Sequence, residues 1–178
     1  MITSHVFIAV SVDGFISRVD GEIDWLEWPG SEEEDHGYNH FVSSMDAIVM
    51  GRGTFEKVLT FGEWPFDKPV VVLSGQLALT EVPENLAGRV RFFNKTPGAL
   101  LEMLAQEGCR RVYLDGGKLI QSFLREGLVS DMVLTRIPTL IGTGRPLFGE
   151  LDQDIRLNLV ETKSFPSGLS QSRYEIQR

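Results

Sequence analysis

Ala47-Ile48-Val49-Met50-Gly51-Arg52-Gly53-Thr54-Phe55-Glu56 is the segment of this chain that says most about its fold. An apolar, partly β-branched run ends in a glycine, and an arginine, a second glycine and a threonine then open a predicted helix. The first N–H groups of a helix carry partial positive charge, glycine lets a ligand approach the backbone, and arginine binds phosphate through two N–H groups. The segment therefore predicts a strand followed by an anion-binding helix start.

A second glycine-rich turn, Leu114-Asp115-Gly116-Gly117-Lys118, follows the predicted strand 111–114 and opens another helix pattern. Two such turns in one small chain predict that a single long phosphorylated ligand, a dinucleotide, spans both. The second turn is neither a Walker loop nor a G-x-G-x-x-G fingerprint. The alternative for both turns is a tight strand-to-helix connection, with a solvated Arg52 in the first and a backbone that needs φ > 0 in the second.

Composition limits the classes of function open to this chain. At 178 residues with 42% hydrophobic residues, it is predicted to form a single domain, 1–178, with a full core. Its net charge of −8 argues against nucleic acid and anionic membranes as partners, because both require a basic surface. Any phosphate must then be held by local cations, and Arg52 and Lys118 are the candidates.

Cysteine and histidine content gives no support for a metal site. Cys109 is the single cysteine, so neither an internal disulfide nor a cysteine-based zinc site is expected. His36 and His40 have the spacing of a zinc pair on a helix, but no other feature supports a metal, and none is predicted. No signal-peptide pattern is visible, and no apolar stretch approaches the ~20 residues of a membrane helix. We expect a cytoplasmic protein.

Strand patterns alternate with helix patterns along most of the chain. The predicted strands cover 5–11, 46–51, 69–73, 89–93, 111–114 and 132–137, and the predicted helices cover 32–44, 54–59, 97–106 and 118–126. The first helix is inferred from the capping-box pattern Ser31-Glu32-Glu33-Glu34. Segments 156–165 and 169–176 predict an antiparallel C-terminal hairpin. The expected fold class is α/β, with a mainly parallel central sheet, helices on both faces and the hairpin at its edge.

The order of these elements resembles the dihydrofolate reductase-like superfamily over essentially the whole chain. Four motifs carry the resemblance: Val49-Met50-Gly51-Arg52 with Thr54, Val72-Leu73-Ser74, Gly116-Gly117 and Leu134-Thr135. They are similar to the family's Gly-Arg-x-Thr cofactor turn, the strand end that holds the adenosine 2′-phosphate, the glycine pair beside the pyrophosphate and the strand with the active-site threonine. Each motif is weak alone, but the four stand in the family's order.

Within that superfamily, two segments resemble the reductase domain of the bifunctional riboflavin-biosynthesis deaminase–reductase. They are Ser11-Val12-Asp13-Gly14 and the glycine- and proline-bearing segment 137–148. Asp115 before the glycine pair fits the same subfamily. A deaminase half would need His-x-Glu and Pro-Cys-x-x-Cys, whereas this chain has one cysteine. The chain therefore resembles the stand-alone relatives of the reductase domain.

The resemblance implies NADPH as the cofactor. NADH is less favoured, although Ser74 is followed by Gly75 rather than by a second polar residue. Thr54 would bind a phosphate, and Arg52 would pair with the 2′-phosphate or the pyrophosphate. Asp115 would bond backbone or a ribose hydroxyl, because a carboxylate repels pyrophosphate. The full set of implied cofactor contacts is Ala9, Ile16, Gly51, Arg52, Gly53, Thr54, Leu73, Ser74, Gly75, Asp115, Gly116, Gly117, Lys118 and Leu119.

Three residues are candidates for catalysis. Asp35 precedes Gly51 by the interval that separates the substrate-binding carboxylate from the cofactor glycine in bacterial folate reductases. Its alternative role is that of a fourth acid in the first turn of the predicted helix. Thr135 would bond that carboxylate or the substrate, or be a strand threonine satisfied by its neighbours. Asp13 would close a turn with Gly14 or contact the substrate.

These features together predict an NADPH-dependent reductase that transfers hydride to a C=N or sugar carbonyl carbon of a flat heterocycle. The subfamily implies a ribosylaminopyrimidine of riboflavin synthesis. Two alternatives stay open: dihydrofolate reductase, against which Asp115 and segment 137–148 count, and a nucleotide-binding module without turnover. The expected partners are a small-molecule substrate and a second copy of the chain, since the relatives are commonly dimers.

Overall fold

The computed structural model describes residues 1–31, 34–75 and 82–177. The strands in those ranges are β1 Thr3–Ser11, β2 Phe15–Ser17, β3 Ala47–Gly51, β4 Val70–Leu73, β5 Val90–Phe93, β6 Arg111–Asp115, β7 Asp131–Ile137, β8 Arg145–Pro146, β9 Leu157–Ser164 and β10 Ser170–Ile176. The α-helices are α1 Tyr38–Ser43, α2 Arg52–Leu59, α3 Pro97–Gln106 and α4 Gly117–Arg125. None of these helices has the length and apolar character needed to cross a membrane.

One large sheet organises the molecule, in the strand order β5-β4-β3-β6-β1-β7-β10-β9. The six strands from β5 to β7 in that order run parallel to one another. β10 pairs antiparallel with β7, and β9 pairs antiparallel with β10. The predicted α/β class, the mainly parallel sheet and the C-terminal hairpin are all confirmed.

Side chains of the central strands point alternately to the two faces of the sheet, so the hydrophobic core forms two layers. On β3, Val49 packs into the layer that contains Phe123 of α4, and Leu100 of α3 belongs to the same layer. Ile48 packs into the opposite layer, which contains Phe55 of α2. Because neighbouring residues point to opposite faces, a strand that is apolar throughout requires helices on both sides.

The helix predicted over 32–44 is wrong in its first half. Glu34 and Asp35 are not helical, and α1 begins only at Tyr38. Glu32 and Glu33, on which the capping-box prediction depends, lie outside the described residues. The helix that does form is therefore one of less than two turns, placed just before β3.

Two left-handed residues explain why the helix cannot begin earlier. His36 has φ 52° and Gly37 has φ 85°, and neither value belongs to a right-handed helix. The Ser31 hydroxyl donates to the carbonyl of Trp28 instead of accepting from a helix amide. Acidic residues favour the start of a helix, but the left-handed turn at 36–37 prevents a right-handed helix from running through these two positions.

A second, two-stranded sheet lies in segments that the sequence predicts as loops. β2 pairs antiparallel with β8, and the Leu147 N–H donates to the carbonyl of Gly14 at 2.9 Å. This pairing draws the segment 137–148 back against β2. It places Arg145 and Pro146 at the side of the opening described below.

The strand order opens a crevice at the carboxyl end of the sheet. β3 lies between β4 and β6, while α2 and α4 leave β3 and β6 to cover opposite faces. In open α/β sheets, such a divergence of connections leaves space for a ligand beyond the strand ends.

Candidate functional site

A cleft of about 1430 Å³ lies at the carboxyl ends of β1, β3, β4, β6 and β7. Its walls include every residue that the sequence predicts as a coenzyme contact. These residues are Ala9, Ile16, Gly51, Arg52, Gly53, Thr54, Leu73, Ser74, Gly75, Asp115, Gly116, Gly117, Lys118 and Leu119. Asp35 and Thr135, two of the three predicted catalytic residues, also line it.

The two glycine turns meet inside this cleft. Met50 and Asp115 are partners in the parallel β3–β6 register, so the turns leave the sheet side by side. Gly116 has φ 102°, and a Cβ added there would overlap Thr54 Oγ1. A Cβ on Gly117 would lie 2.9 Å from both Ile16 Cδ1 and the carbonyl oxygen of Pro146. Both positions therefore require glycine on steric grounds.

Each of the two helices that start in the cleft has a glycine immediately before its first residue. Gly51 precedes α2 and Gly116 precedes α4, and neither position provides a side-chain cap. The leading amides of a helix need partners from outside, and an anion can serve as one. The two helix starts thus offer two adjacent places at which an anion can bind.

Arg145 is a cation of this site that the sequence does not mark as a candidate. Its Nη1 lies 4.0 Å from the position that a Cβ on Gly53 would take, and its Nε donates to the carbonyl of Val19 at 3.2 Å. The β2–β8 pairing is what carries Arg145 to the start of α2. Nothing local marks this arginine, because it stands alone between Gly144 and Pro146 and reaches the cleft only through the pairing of distant strands.

Two other cations of the cleft wall, Arg52 and Lys57, are engaged with carboxylates. Arg52 Nε donates to Glu56 at 2.7 Å, one helical turn further along α2. Lys57 Nζ donates to Glu22 at 2.7 Å. An arriving polyanion would compete with these partly exposed ion pairs, which are weak in water.

Asp115 is the ionisable group whose setting in the cleft is most unusual. It ends β6 on the cleft floor, and burial raises its pKa to about 6, an effect that the Gly116 N–H only partly offsets. The pKa of Tyr38, which lines the same cleft, is raised to about 12 by the burial of its own hydroxyl and, to a lesser extent, by the charge of Asp115. Asp115 therefore gains and loses a proton close to neutral pH.

Thr135 lies on β7 facing the cleft and is only 5% exposed. Its Oγ1 accepts a hydrogen bond from the Gln171 side chain of β10 at 2.9 Å. This contact fits the alternative of a strand threonine satisfied by a neighbour, because Gln171 lies opposite Thr135 on the adjacent strand. No sequence pattern marks Gln171 as that partner.

Asp35 lies at the cleft entrance, and its carboxylate is held by main-chain groups. Oδ1 accepts from the Gly37 N–H and Oδ2 from the Asn39 N–H, both at 2.9 Å. These bonds, with that of Gly37 first, lower the pKa of Asp35. Its side chain is exposed and caps the turn that leads into α1. A proton-donating role for Asp35 stays a prediction, and the contacts favour the capping role.

Asp13 is not among the described residues that line the cleft, and its predicted contact with substrate stays a prediction. Its carboxylate accepts from the Ser11 hydroxyl at 2.6 Å and from the amides of Ile141 and Gly142 at 3.2 and 2.7 Å. The Ser11 hydroxyl bond is the largest cause of the lowered pKa of Asp13. Asp13 ties the loop after β7 to the end of β1.

His36 and His40 do not form the helical pair that their spacing suggests. His36 lies in the left-handed turn before α1, whereas His40 is inside the helix. The described residues contain no cluster of three or more side chains suited to a metal ion. Because α1 begins only at Tyr38, the two histidines do not share one face of a helix, and their four-residue spacing no longer indicates a metal pair.

The strand order, the antiparallel hairpin and the cleft at the β3–β6 junction define a protein of the dihydrofolate reductase-like fold class. Comparison with known families agrees with this assignment. The profile of the RibD C-terminal domain matches residues 5–170. The chain belongs to the RibD C-terminal domain family.

Two relatives are similar to this chain over nearly their whole length. The Bacillus subtilis protein YwjB is 37% identical over 166 residues, covering 90% of each chain. A Shewanella sp. PV-4 protein, provisionally assigned to riboflavin biosynthesis, has a crystal structure with a TM-score of 0.93 and 38% identity. That match covers 99% of this chain and 100% of the other.

More distant solved structures share the fold at low identity. Acinetobacter baumannii RibD matches with 22% identity and a TM-score of 0.74, covering 99% of this chain and 58% of its own. A Thermotoga maritima diaminohydroxyphosphoribosylaminopyrimidine deaminase/5-amino-6-(5-phosphoribosylamino)uracil reductase matches with 13% identity and a TM-score of 0.77, covering 99% of this chain and 57% of its own. This chain thus spans somewhat more than half of each. Family and neighbours together support a reductase-type role.

Replacing Gly116 by alanine tests the contact between the two turns. Gly116→Ala adds both a positive-φ strain and an overlap with Thr54 Oγ1, so the free energy of unfolding should fall by more than the ~1 kcal/mol that strain alone costs. Gly108→Ala is the control, because Gly108 has φ 94° but open space around it. Urea denaturation measures both variants. An equal loss of unfolding free energy in the two variants would contradict the contact between Gly116 and Thr54.

Replacing Asp115 by asparagine tests the raised pKa. The folded protein holds a proton on Asp115 up to about pH 6, while the unfolded chain releases it near its reference pKa of 3.8. Ionised Asp115 therefore destabilises the fold, and stability is lost as the pH rises through this window. Asp115→Asn should raise the free energy of unfolding at about pH 8 by about 1–3 kcal/mol, with no gain near pH 4.

Asp46 gives a control of opposite sign for that measurement. The amides of Arg110 and Arg111 donate to its carboxylate and lower its pKa. Asp46→Asn should therefore lose stability at the alkaline end of the same series. A difference between wild type and Asp115→Asn that does not change with pH would contradict the shift assigned to Asp115.

Proposed function

We propose that this protein is an NADPH-dependent reductase that transfers hydride to a C=N or sugar carbonyl carbon of a small flat heterocycle. The observation that carries the proposal is the convergence of two glycine-started helices, at Gly51 and Gly116, on one cleft. Glycine at 116 and 117 lets Thr54, Ile16 and Pro146 pack against this turn, which keeps the two helix starts side by side, and helix starts of this kind bind phosphate groups.

Residues along the cleft would bind the successive parts of a dinucleotide. The helix starts of α2 and α4 would hold the pyrophosphate, with Arg52 and Arg145 as the nearby cations. Ser74, at the end of β4, would bind the adenosine end, and its hydroxyl favours a 2′-phosphate and hence NADPH over NADH. Ala9 and Ile16 border the deeper part of the cleft, where the nicotinamide would lie. The coenzyme supplies the hydride, and the protein supplies alignment.

A reduction of this kind also needs a proton. Asp115, with a pKa of about 6 in the cleft, holds a transferable proton closer to neutral pH than Asp35, whose pKa is lowered by two amide bonds. A group that titrates near the working pH is the most effective acid or base. We assign proton transfer to Asp115, with solvent as the ultimate source.

The pyrimidine substrate class is supported by the reductase named for the Thermotoga maritima neighbour, 5-amino-6-(5-phosphoribosylamino)uracil reductase. A ring of that class, with carbonyl and amino groups, suits a pocket that pairs apolar walls with Thr135 and Asp115. Dihydrofolate reduction is the alternative, and the acidic Asp115 beside the glycine pair counts against it. Binding of a nucleotide without turnover is the third possibility.

The function is tested first by coenzyme binding and then by turnover. NADPH should raise the melting temperature more than NADH, and NADPH absorbance should fall when the ribosylaminopyrimidine is added. Consumption on adding dihydrofolate instead would favour the folate enzyme. Bound NADPH that no substrate oxidises would favour the nucleotide-binding module.

Arg52→Ala should weaken NADPH binding by about 1.5–3 kcal/mol, the value of a hydrogen bond to a charged group. Isothermal titration calorimetry measures the loss. Arg91→Ala is the control, because Arg91 pairs with Glu107 away from the cleft and should leave affinity unchanged. Undiminished NADPH affinity in Arg52→Ala would remove Arg52 from the site.

We also propose that the protein is a homodimer that joins through β9. In the described sheet this strand ends the order, and Leu159 and Val160 are 60% and 47% exposed. Glu161 and Lys163 lie on one face of the strand, with 3.2 Å between Glu161 Oε1 and Lys163 Nζ. Antiparallel pairing of two β9 strands about Thr162 would set Glu161 opposite Lys163 of the partner subunit.

A charge exchange tests this arrangement. Lys163→Glu places like charges opposite each other and should shift the protein toward monomer in sedimentation velocity. The double variant Glu161→Lys with Lys163→Glu exchanges the two signs and should restore the dimer. A dimer that both variants leave intact would have to use another surface.

A further inference from the structure

Gln171 connects two parts of the cleft that are distant in sequence. It stands opposite Thr135 in the antiparallel β7–β10 register. Its side-chain nitrogen Nε2 lies 3.0 Å from the carbonyl oxygen of His36 and 2.9 Å from Thr135 Oγ1. One amide group therefore joins the turn at the cleft entrance to the strand on its floor.

The contact with His36 fixes which way the amide points. A main-chain carbonyl oxygen only accepts hydrogen bonds, so the atom of Gln171 beside it must be the NH₂ group. The same nitrogen contacts Thr135 Oγ1, and an amide NH₂ only donates. Thr135 must accept this bond, so its own hydroxyl proton points elsewhere.

That proton has no acceptor among the described residues. The bond from Gln171 is the contact that the Thr135 hydroxyl makes there, and the side chain is 5% exposed and faces the cleft. Leaving a buried donor without a partner costs free energy, and such groups in folded proteins find one in a ligand or in ordered water. The Thr135 hydroxyl can therefore donate to a water molecule in the cleft or to a ligand that displaces it.

The second bond of Gln171 holds a strained turn. His36, with φ 52°, is the non-glycine residue of the described ranges that has positive φ. Residues in this conformation persist where surrounding contacts impose it, and they concentrate at functional sites. Here the His36 carbonyl is held by Gln171 and its ring packs edge-on against Phe165, with 4.6 Å between ring centroids.

We propose that Gln171 is a positioning residue that makes Thr135 a hydrogen-bond donor and thereby selects the substrate. The cleft then prefers a heterocycle that presents an acceptor, such as a ring carbonyl oxygen, to β7. This inference deepens the function proposed above and rests on it. Gln171 does not touch the substrate, and its effect passes through the Thr135 hydroxyl.

The test compares two probes in the presence of saturating NADPH: uracil and 2,4-dithiouracil. The two rings carry N–H donors at the same positions, but the larger sulfur atoms of the second accept hydrogen bonds only weakly. Wild type should bind uracil more tightly by about tenfold, as expected when a buried donor loses its acceptor. Ligand-observed NMR titration gives both dissociation constants.

Two substitutions of Gln171 should reduce that ratio. Gln171→Leu removes the donor, and Gln171→Glu replaces it by an acceptor to which Thr135 would donate instead. The uracil preference should fall by about threefold or more in each, with the NADPH dissociation constant unchanged. Gln177→Leu is the matched control, because Gln177 follows the far end of β10 and bonds Asn158. It should keep the wild-type ratio.

A double-mutant cycle separates positioning from general loosening of the site. In a Thr135→Val background, which lacks the hydroxyl, Gln171→Glu should change the ratio no further, because the two residues act as one unit. An equal change in both backgrounds, or a wild-type ratio in folded Gln171 variants, would overturn the inference. If Gln171→Leu fails to fold, Gln171→Glu decides the question.

The outcomes also separate this inference from the proposed function. Wild type that binds NADPH but shows no preference between the probes, or binds neither, contradicts the role of Gln171 and leaves the coenzyme site standing. Wild type that binds no NADPH contradicts the proposed function, and this inference with it.

Discussion

The close contact between the β3–α2 and β6–α4 turns is the constraint on which the site depends. Parallel pairing of β3 with β6 sets the turns next to each other, and the absence of a Cβ at Gly116 lets Thr54 fill the space between them. Larger residues would force the helix starts apart. Their amides would then no longer face one ligand, and the cleft would lose the two adjacent anion sites.

Electrostatics in this molecule are local rather than global. A chain with a net charge of −8 does not attract a polyanion through its overall field. Helix starts and a few arginines must offset that charge at short range. Asp115 lies close to these groups, and burial raises its pKa to about 6, so that more of it is protonated near neutral pH than of an exposed aspartate. Under the proposed function, the protonated form would lessen the repulsion of a phosphate.

Much of the fold could be predicted because its signals are local. Apolar runs marked the parallel strands, and glycines marked the helix starts at α2 and α4. The helix before β3 was the main error, because the left-handed turn at His36 depends on contacts with Gln171 and Phe165 from the C-terminal hairpin. The same turn gives Asp35 its capping contacts, which spacing to Gly51 alone did not reveal.

The sequence by itself determined the order of strands and helices along the chain and the places of the glycine turns, because these follow from backbone preferences and side-chain periodicity within a few positions. The residues expected around a dinucleotide were implied by the resemblance to the dihydrofolate reductase-like superfamily. Only the tertiary structure decided that Arg145 reaches the start of α2, that Asp13 anchors a loop, and that Gln171 orients Thr135. Such contacts, and the burial that raises the pKa of Asp115, arise when segments far apart in the chain pack together, so no local pattern encodes them.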